Sequence, residues 1–286
     1  MRLRSTSTQR TYRYVRLSLV GVIAFLAVSL TVEIVTGGPL ASVSAAFYTP
    51  ARDVLVGSLC AVALALLVLS GRSVEQMLLD VAALLAPVIA FVPTPVAPAD
   101  IAAGCAGGSS CVPEQFLPGI ANSLISLGIV AVVGIATVSI VALARGTFDR
   151  AMLVSVAAAG VVVAALGGWW MLSPSTFLLG AHNAAAVVFF TLIALVAALA
   201  AGQPAGSDSR RTRLRVAYGV IAAGIALALA LVIGVVVAGA EPAVPLFFVG
   251  EAAALLLFAV FWVVQTIEFW NDVDPRARVA AEPSAA

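Results

Sequence analysis

The chain of 286 residues contains no lysine, one histidine and three cysteines, and only 10% of its residues are charged. Each scarcity excludes something. A single histidine cannot supply the ligands that a multi-histidine membrane hydrolase needs, and with so few soft donors beside it a zinc site has no basis. There is no Gly-rich phosphate loop, no paired His and Glu metal motif and no Gly-x-Ser-x-Gly elbow. No cofactor, metal or catalytic residue is therefore expected, and the chain reads as a non-enzyme. The positive charge is confined to short segments and leaves no nucleic-acid footprint. Scarce charge, 62% hydrophobic residues and a mean hydropathy of +1.12 leave too much apolar surface for one soluble core. Lipid has to be the solvent.

What is present is a series of long apolar runs. Spans are expected at Val15–Val35, Val54–Ser70, Met77–Val92, Pro118–Ala144, Ala151–Leu172, Ala181–Ala201, Val216–Ala240 and Pro245–Ile267. The first is as long as a spanning helix requires and longer than the apolar region of a cleaved signal. Eight crossings place fourteen of the fifteen arginines on one side, with Arg52 alone opposite. Arginines beside short loops stay cytoplasmic during insertion, so both chain ends are expected inside. The expected fold is an all-α polytopic bundle spanning residues 15–270, with a basic N-terminal segment at 1–14 and a disordered tail at 271–286. The missing lysine and the dominance of Ala, Val, Leu and Gly fit a GC-rich bacterial genome, hence a multi-pass protein of the bacterial plasma (inner) membrane.

Local signals mark the boundaries. Thr49 and Pro50 suit the N-cap and first position of the second helix, and Ser73 with Gln76 forms a capping box before the third. Trp169 and Trp170 fall at an outer helix end, and Tyr12, Tyr14, Tyr218 and Trp270 at inner ends, as interfacial rings should. Cys105 and Cys111 share the Gly/Ser/Pro-rich loop between the third and fourth spans. On the outer side a disulfide between them is expected. No internal repeat relates the two halves of the chain, which weighs against a transporter built from repeats.

Ionisable groups within a span cost about 2.5 to 3.5 kcal/mol each at mid-bilayer and need a reason to be there. Glu251 lies about 9 Å below the outer end of the last helix at 1.5 Å rise per residue, beside Gly250 and three alanines that permit close helix approach. His182 opens the sixth helix next to Asn183. Glu33 ends the first helix, and Arg52 with Asp53 begins the second. Arg52 opposes the insertion bias, and its natural compensation is a carboxylate such as Glu33, Asp53 or Glu251. Their shared depth makes Arg52, Asp53, His182, Asn183, Glu251 and Glu33 the candidate ligand-binding residues of an outer pocket between helices 1, 2, 6 and 8.

Three segments resemble the DRAM-like (damage-regulated autophagy modulator) family of polytopic membrane proteins. They are the Ser-rich loop Ser-Val-Ser-Ala-Ala-Phe-Tyr-Thr-Pro-Ala-Arg-Asp ending at Asp53, the helix starting Ala-His182-Asn-Ala-Ala-Ala-Val-Val-Phe-Phe, and the last span from Glu251 through Phe258, Phe261, Gln265 and Glu268. The family generally has six spans where eight are read here, and Ala252 follows the glutamate where tryptophan is common. The resemblance covers less than half the chain. It implies a link to membrane or lipid homeostasis, supports the choice of Arg52, His182 and Glu251, and transfers no reaction.

The leading expectation is an integral membrane protein that binds a lipid headgroup or small ligand from the outer leaflet, with membrane lipid as its partner and the oligomeric state left open. A proton-coupled transporter using Glu251 is the alternative, and a membrane-embedded enzyme the third. A transporter needs a wet path past Glu251 to both sides; an enzyme needs a nucleophile, Ser44 or Ser58, beside His182.

Overall fold

In the computed structural model, residues 7–69, 74–96, 110–203, 209–238 and 245–270 are described. They form eight α-helices: α1 (Ser7–Gly37), α2 (Arg52–Leu69), α3 (Val74–Phe91), α4 (Leu117–Ala144), α5 (Arg150–Leu172), α6 (Pro174–Gly202), α7 (Ser209–Ala238) and α8 (Leu246–Glu268). Short 3-10 turns at Ser44–Tyr48 and Glu114–Phe116 precede α2 and α4. The protein is an all-α, multi-pass membrane bundle.

Seven of the helices are long and apolar enough to cross a bilayer. The eighth, α3, has a shorter apolar stretch, Met77–Phe91. Its environment explains how it serves. Helix α3 packs against α2, α4, α5 and α6, and Leu79, Ala82, Ala83, Ala86, Val88 and Ala90 are all buried. A helix sheathed in other helices does not have to match the hydrocarbon thickness by itself.

Neighbour packing runs α1, α2, α3, α6, α7, α8 and back to α1, a closed ring of six, while α4 and α5 pair and rest on α3 and α6 from outside. The ring interior is filled by Leu26, Val62, Leu66, Phe189, Ile193, Phe258 and Trp262, all buried. Glycine permits the α7–α8 crossing. A Cβ on Gly250 of α8 would come within 3.3 Å of the Ala228 carbonyl oxygen on α7, and one on Gly224 of α7 would meet Leu257 of α8 at 2.8 Å. The small-residue character around Gly250 therefore brings α8 against α7.

The N-terminal end of α1 meets the C-terminal end of α8. Arg13 Nε donates to the Trp270 carbonyl at 2.6 Å and Gln9 Nε2 donates to the same oxygen at 3.3 Å. Arg16 of α1 is buried, donates to Gln265 at 3.1 Å and stacks 5.1 Å from the Phe269 ring centre. Arg215 donates to the Ala201 carbonyl at 2.9 Å, so the ends of α6 and α7 share this face. An even number of crossings requires this arrangement, and it brings Arg13, Arg16 and Arg215 to one rim, opposite Arg52.

Several boundaries differ from the apolar runs for a physical reason. Helix α1 begins at Ser7 and α6 at Pro174 because a helix continues through its interfacial residues after the hydrocarbon ends. Ahead of α2, Thr49 Oγ1 accepts from the Ala51 amide at 3.2 Å and the Thr49 carbonyl accepts from Arg52 at 3.1 Å, so Thr49 and Pro50 form a turn before the helix, whose first regular bond closes on Ala51, rather than its N-cap and first position. Tyr218 lies beside the last residue of α8 but does not face outward: it is buried and its hydroxyl donates to Glu268 at 2.6 Å. Ser73 and the 271–286 tail lie outside the described residues.

The topology predicts that, in a Cys60→Ala background, Glu114→Cys and Thr147→Cys react with a membrane-impermeant maleimide from opposite sides of a sealed membrane. Labelling of both from one side overturns the path of α4.

Candidate functional site

The ends of α1, α2, α3, α4, α6 and α8 that lie away from Gln9 and Trp270 form a rim, and each sequence-selected residue has a definite place on it. Helix α3 passes through Pro87 and ends at Phe91. Pro93 has no N–H, so the Ile89 carbonyl lacks its ordinary helical donor four residues on. His182 supplies the need. It is buried, its Nδ1 donates to the Val92 carbonyl at 2.7 Å, and the ring also hydrogen-bonds the backbone of Ile89. The one histidine thus caps α3 from α6. Asn183, next along α6, is half-buried.

Glu251 serves the chain between α1 and α2. Its carboxylate accepts from the Val43 amide at 2.6 Å and from the Ser44 hydroxyl at 3.2 Å. An acceptor at the start of the 3-10 turn Ser44–Tyr48 satisfies amides that have no partner within the turn. Ser44 Oγ lies 3.1 Å from Ser42 Oγ and 3.2 Å from Thr94 Oγ1. Burial raises the Tyr48 phenol above its ordinary range and keeps it protonated, and its hydroxyl donates to the Thr94 carbonyl at 2.8 Å.

Arg52 has different neighbours. Its guanidinium carbon lies 4.2 Å from the Phe47 ring centre and 5.3 Å from that of Phe116. Among the described residues no carboxylate pairs with it, neither Glu33, Asp53 nor Glu251. Glu33 instead folds back over Gly37 at the end of α1. Phe47, Tyr48 and Phe116 meet edge to face, with centroids 5.2 to 5.7 Å apart. This cluster joins the turn before α2 to the turn before α4.

Beside it lies a cavity of about 350 Å³ lined by Phe47, Arg52, Asp53, Phe91, Ile120 and Ser123, with Val56, Gly57 and Gly119 completing it. It sits between α2, the end of α3 and the start of α4. Shared depth alone places a pocket between helices 1, 2, 6 and 8; the cavity's lining comes from none of helices 1, 6 and 8. Helix order in space was not readable from depth. Asp53 is exposed at the cavity's mouth, while Arg52 is half-buried. Phe47, Phe116 and Ser123 were missed in the sequence, although an aromatic pair, Phe47 and Tyr48, five and four residues before the stray arginine was a signal available there.

The outer loop is closed at its base. Val96 and Cys111 exchange backbone hydrogen bonds of 2.9 and 3.3 Å. Cys111 is disulfide-bonded and Cys60 is free, while Cys105, the expected partner, lies outside the described residues. Among the described residues no group of three or more His, Cys, Asp or Glu side chains could hold a metal. No family model, curated protein or solved structure matches the chain.

His182→Leu is expected to destabilise the folded protein by about 1 to 3 kcal/mol, the usual cost of leaving a buried acceptor unpaired. His182→Asn, which keeps a donor, is expected to recover part of the loss in detergent-solubilised unfolding experiments. An unfolding midpoint for His182→Leu equal to wild type removes the capping role.

Proposed function

We propose that the protein binds a membrane phospholipid at the cavity beside Arg52, its phosphate held by the guanidinium and its acyl chains lying along the apolar floor. The supporting observation is Arg52 itself. A cation on the side where arginine is otherwise scarce, stacked on two rings and lining a cavity without a carboxylate partner among the described residues, is preorganised for an anionic group. The lining grades from Arg52 and Asp53 at the rim to Val56, Ile120 and Phe91 below, as an amphipathic ligand requires. Helices α2 and α4 each pack on α3 but form no extensive interface with one another, which leaves the cavity a lateral way in from lipid.

The same residues weigh between the other readings. A proton-coupled transporter asks for a wet path past Glu251, whereas Ala254, Phe258, Phe189 and Ile193 pack the described interior below it. An enzyme asks for a nucleophile on His182, whereas Ser44 is bonded to Glu251 and Ser58 Oγ is buried with no partner. In this reading the protein is a non-enzymatic component of a bacterial inner membrane, with Arg52 on the periplasmic side. A place among DRAM-like proteins belongs to the same proposal: the six-helix ring has the span number that resemblance implies, with α4 and α5 added outside it.

Native mass spectrometry of the detergent-purified protein tests the proposal. Wild type and Glu251→Gln are expected to retain bound phospholipid, and Arg52→Gln to lose at least about tenfold of it, the change equivalent to one charge-assisted hydrogen bond of about 1.4 kcal/mol. Equal retention by Arg52→Gln and wild type sinks the reading. Loss in Glu251→Gln alone moves the site to the last helix.

A further inference from the structure

We infer that the cavity beside Arg52 selects a phospholipid whose headgroup carries a primary ammonium as well as a phosphate. This rests on the phospholipid reading above and adds to it the class of headgroup. Two opposite charges line one cavity: Arg52, half-buried on its aromatic support, and Asp53, exposed at the mouth. Consecutive residues of a helix point in different directions, so their charges are offset around the mouth rather than facing one another, and no ion pair joins them among the described residues. A ligand that bridges them presents an anion to one and a cation to the other. The phosphate and amine of a zwitterionic headgroup have that arrangement.

The kind of cation follows from the rings. A quaternary ammonium is held by several aromatic faces arranged as a cage. Here Phe47 and Phe116 already carry the guanidinium at 4.2 and 5.3 Å, and each also packs edge to face with Tyr48. Of the aromatic residues lining the cavity, Phe91 alone is left without the cation against it. One ring does not make a cage. A primary ammonium instead donates hydrogen bonds, and the cavity offers the Asp53 carboxylate and the Ser123 hydroxyl as acceptors. An anionic headgroup without an amine would leave Asp53 facing negative charge, a like-charge juxtaposition that disfavours it.

The test is competition in nanodiscs holding the full chain, followed by release into detergent and native mass spectrometry of the retained lipid. The lipids are phosphatidylethanolamine, phosphatidylcholine and phosphatidylglycerol with matched acyl chains, in equal amounts. Wild type is expected to retain phosphatidylethanolamine over each of the others by about five- to tenfold. Asp53→Asn, nearly isosteric and at an exposed position, is expected to lose the preference over phosphatidylglycerol. Unfolding midpoints matched to wild type establish that each variant is folded. Retention in wild type without preference, or a preference unchanged in Asp53→Asn, overturns the headgroup assignment while leaving phosphate binding intact. Arg52→Gln retaining as much lipid as wild type overturns both.

Discussion

Backbone groups deprived of water must find partners inside the protein, and at the rim that carries Arg52 two side chains meet that demand. Pro93 removes the donor that would have closed the last turn of α3, and His182 reaches across from α6 to replace it. The turn after α1 starts with amides that have no helical partner, and Glu251 reaches across from α8 to accept from them. Each bond ties a loop to a helix distant in sequence. The residues that are costly to bury are therefore the ones that hold the rim together.

The cavity depends on this support. Glu251 fixes the turn Ser44–Tyr48, that turn places Phe47, and Phe47 carries Arg52. On the other side Phe116 completes the stack and joins α4 to the ring. A guanidinium held between rings loses little freedom on meeting an anion, which is the advantage of preorganisation. The opposite rim uses its cations differently. There Arg13 and Arg16 are committed to Trp270, Phe269 and Gln265, joining the first helix to the last. The same residue type closes the ring on one face and lines an open cavity on the other.

Much of the rim was legible residue by residue and little of it pair by pair. Hydropathy and cost of burial picked out Arg52, His182 and Glu251, because an ionisable group at membrane depth is rare enough to be conspicuous. Their partners were hidden for different reasons. The acceptors for His182 are backbone carbonyls, which no residue type announces, although Pro93 marks where one is freed. The donors to Glu251 are likewise largely backbone. Arg52 was expected to find a carboxylate, since an ion pair is the commonest remedy, yet aromatic faces meet it instead. Tyr218 was placed at the interface on its amphipathic character and is buried against Glu268 because α7 and α8 close there.

The sequence by itself determined that this chain lives in a membrane, that its ends share a face and where each helix crosses, because those follow from the length of apolar runs and the placement of arginine. Tertiary structure alone decided that six helices close a ring while α4 and α5 stand outside it, that the short α3 is sheathed by its neighbours, and that the cavity opens between α2 and α4. Those outcomes depend on which faces of which helices meet, and spans that are apolar on every side carry no record of that choice. Only contact geometry, set by glycine at the α7–α8 crossing and by side chains capping distant backbone, selects among them.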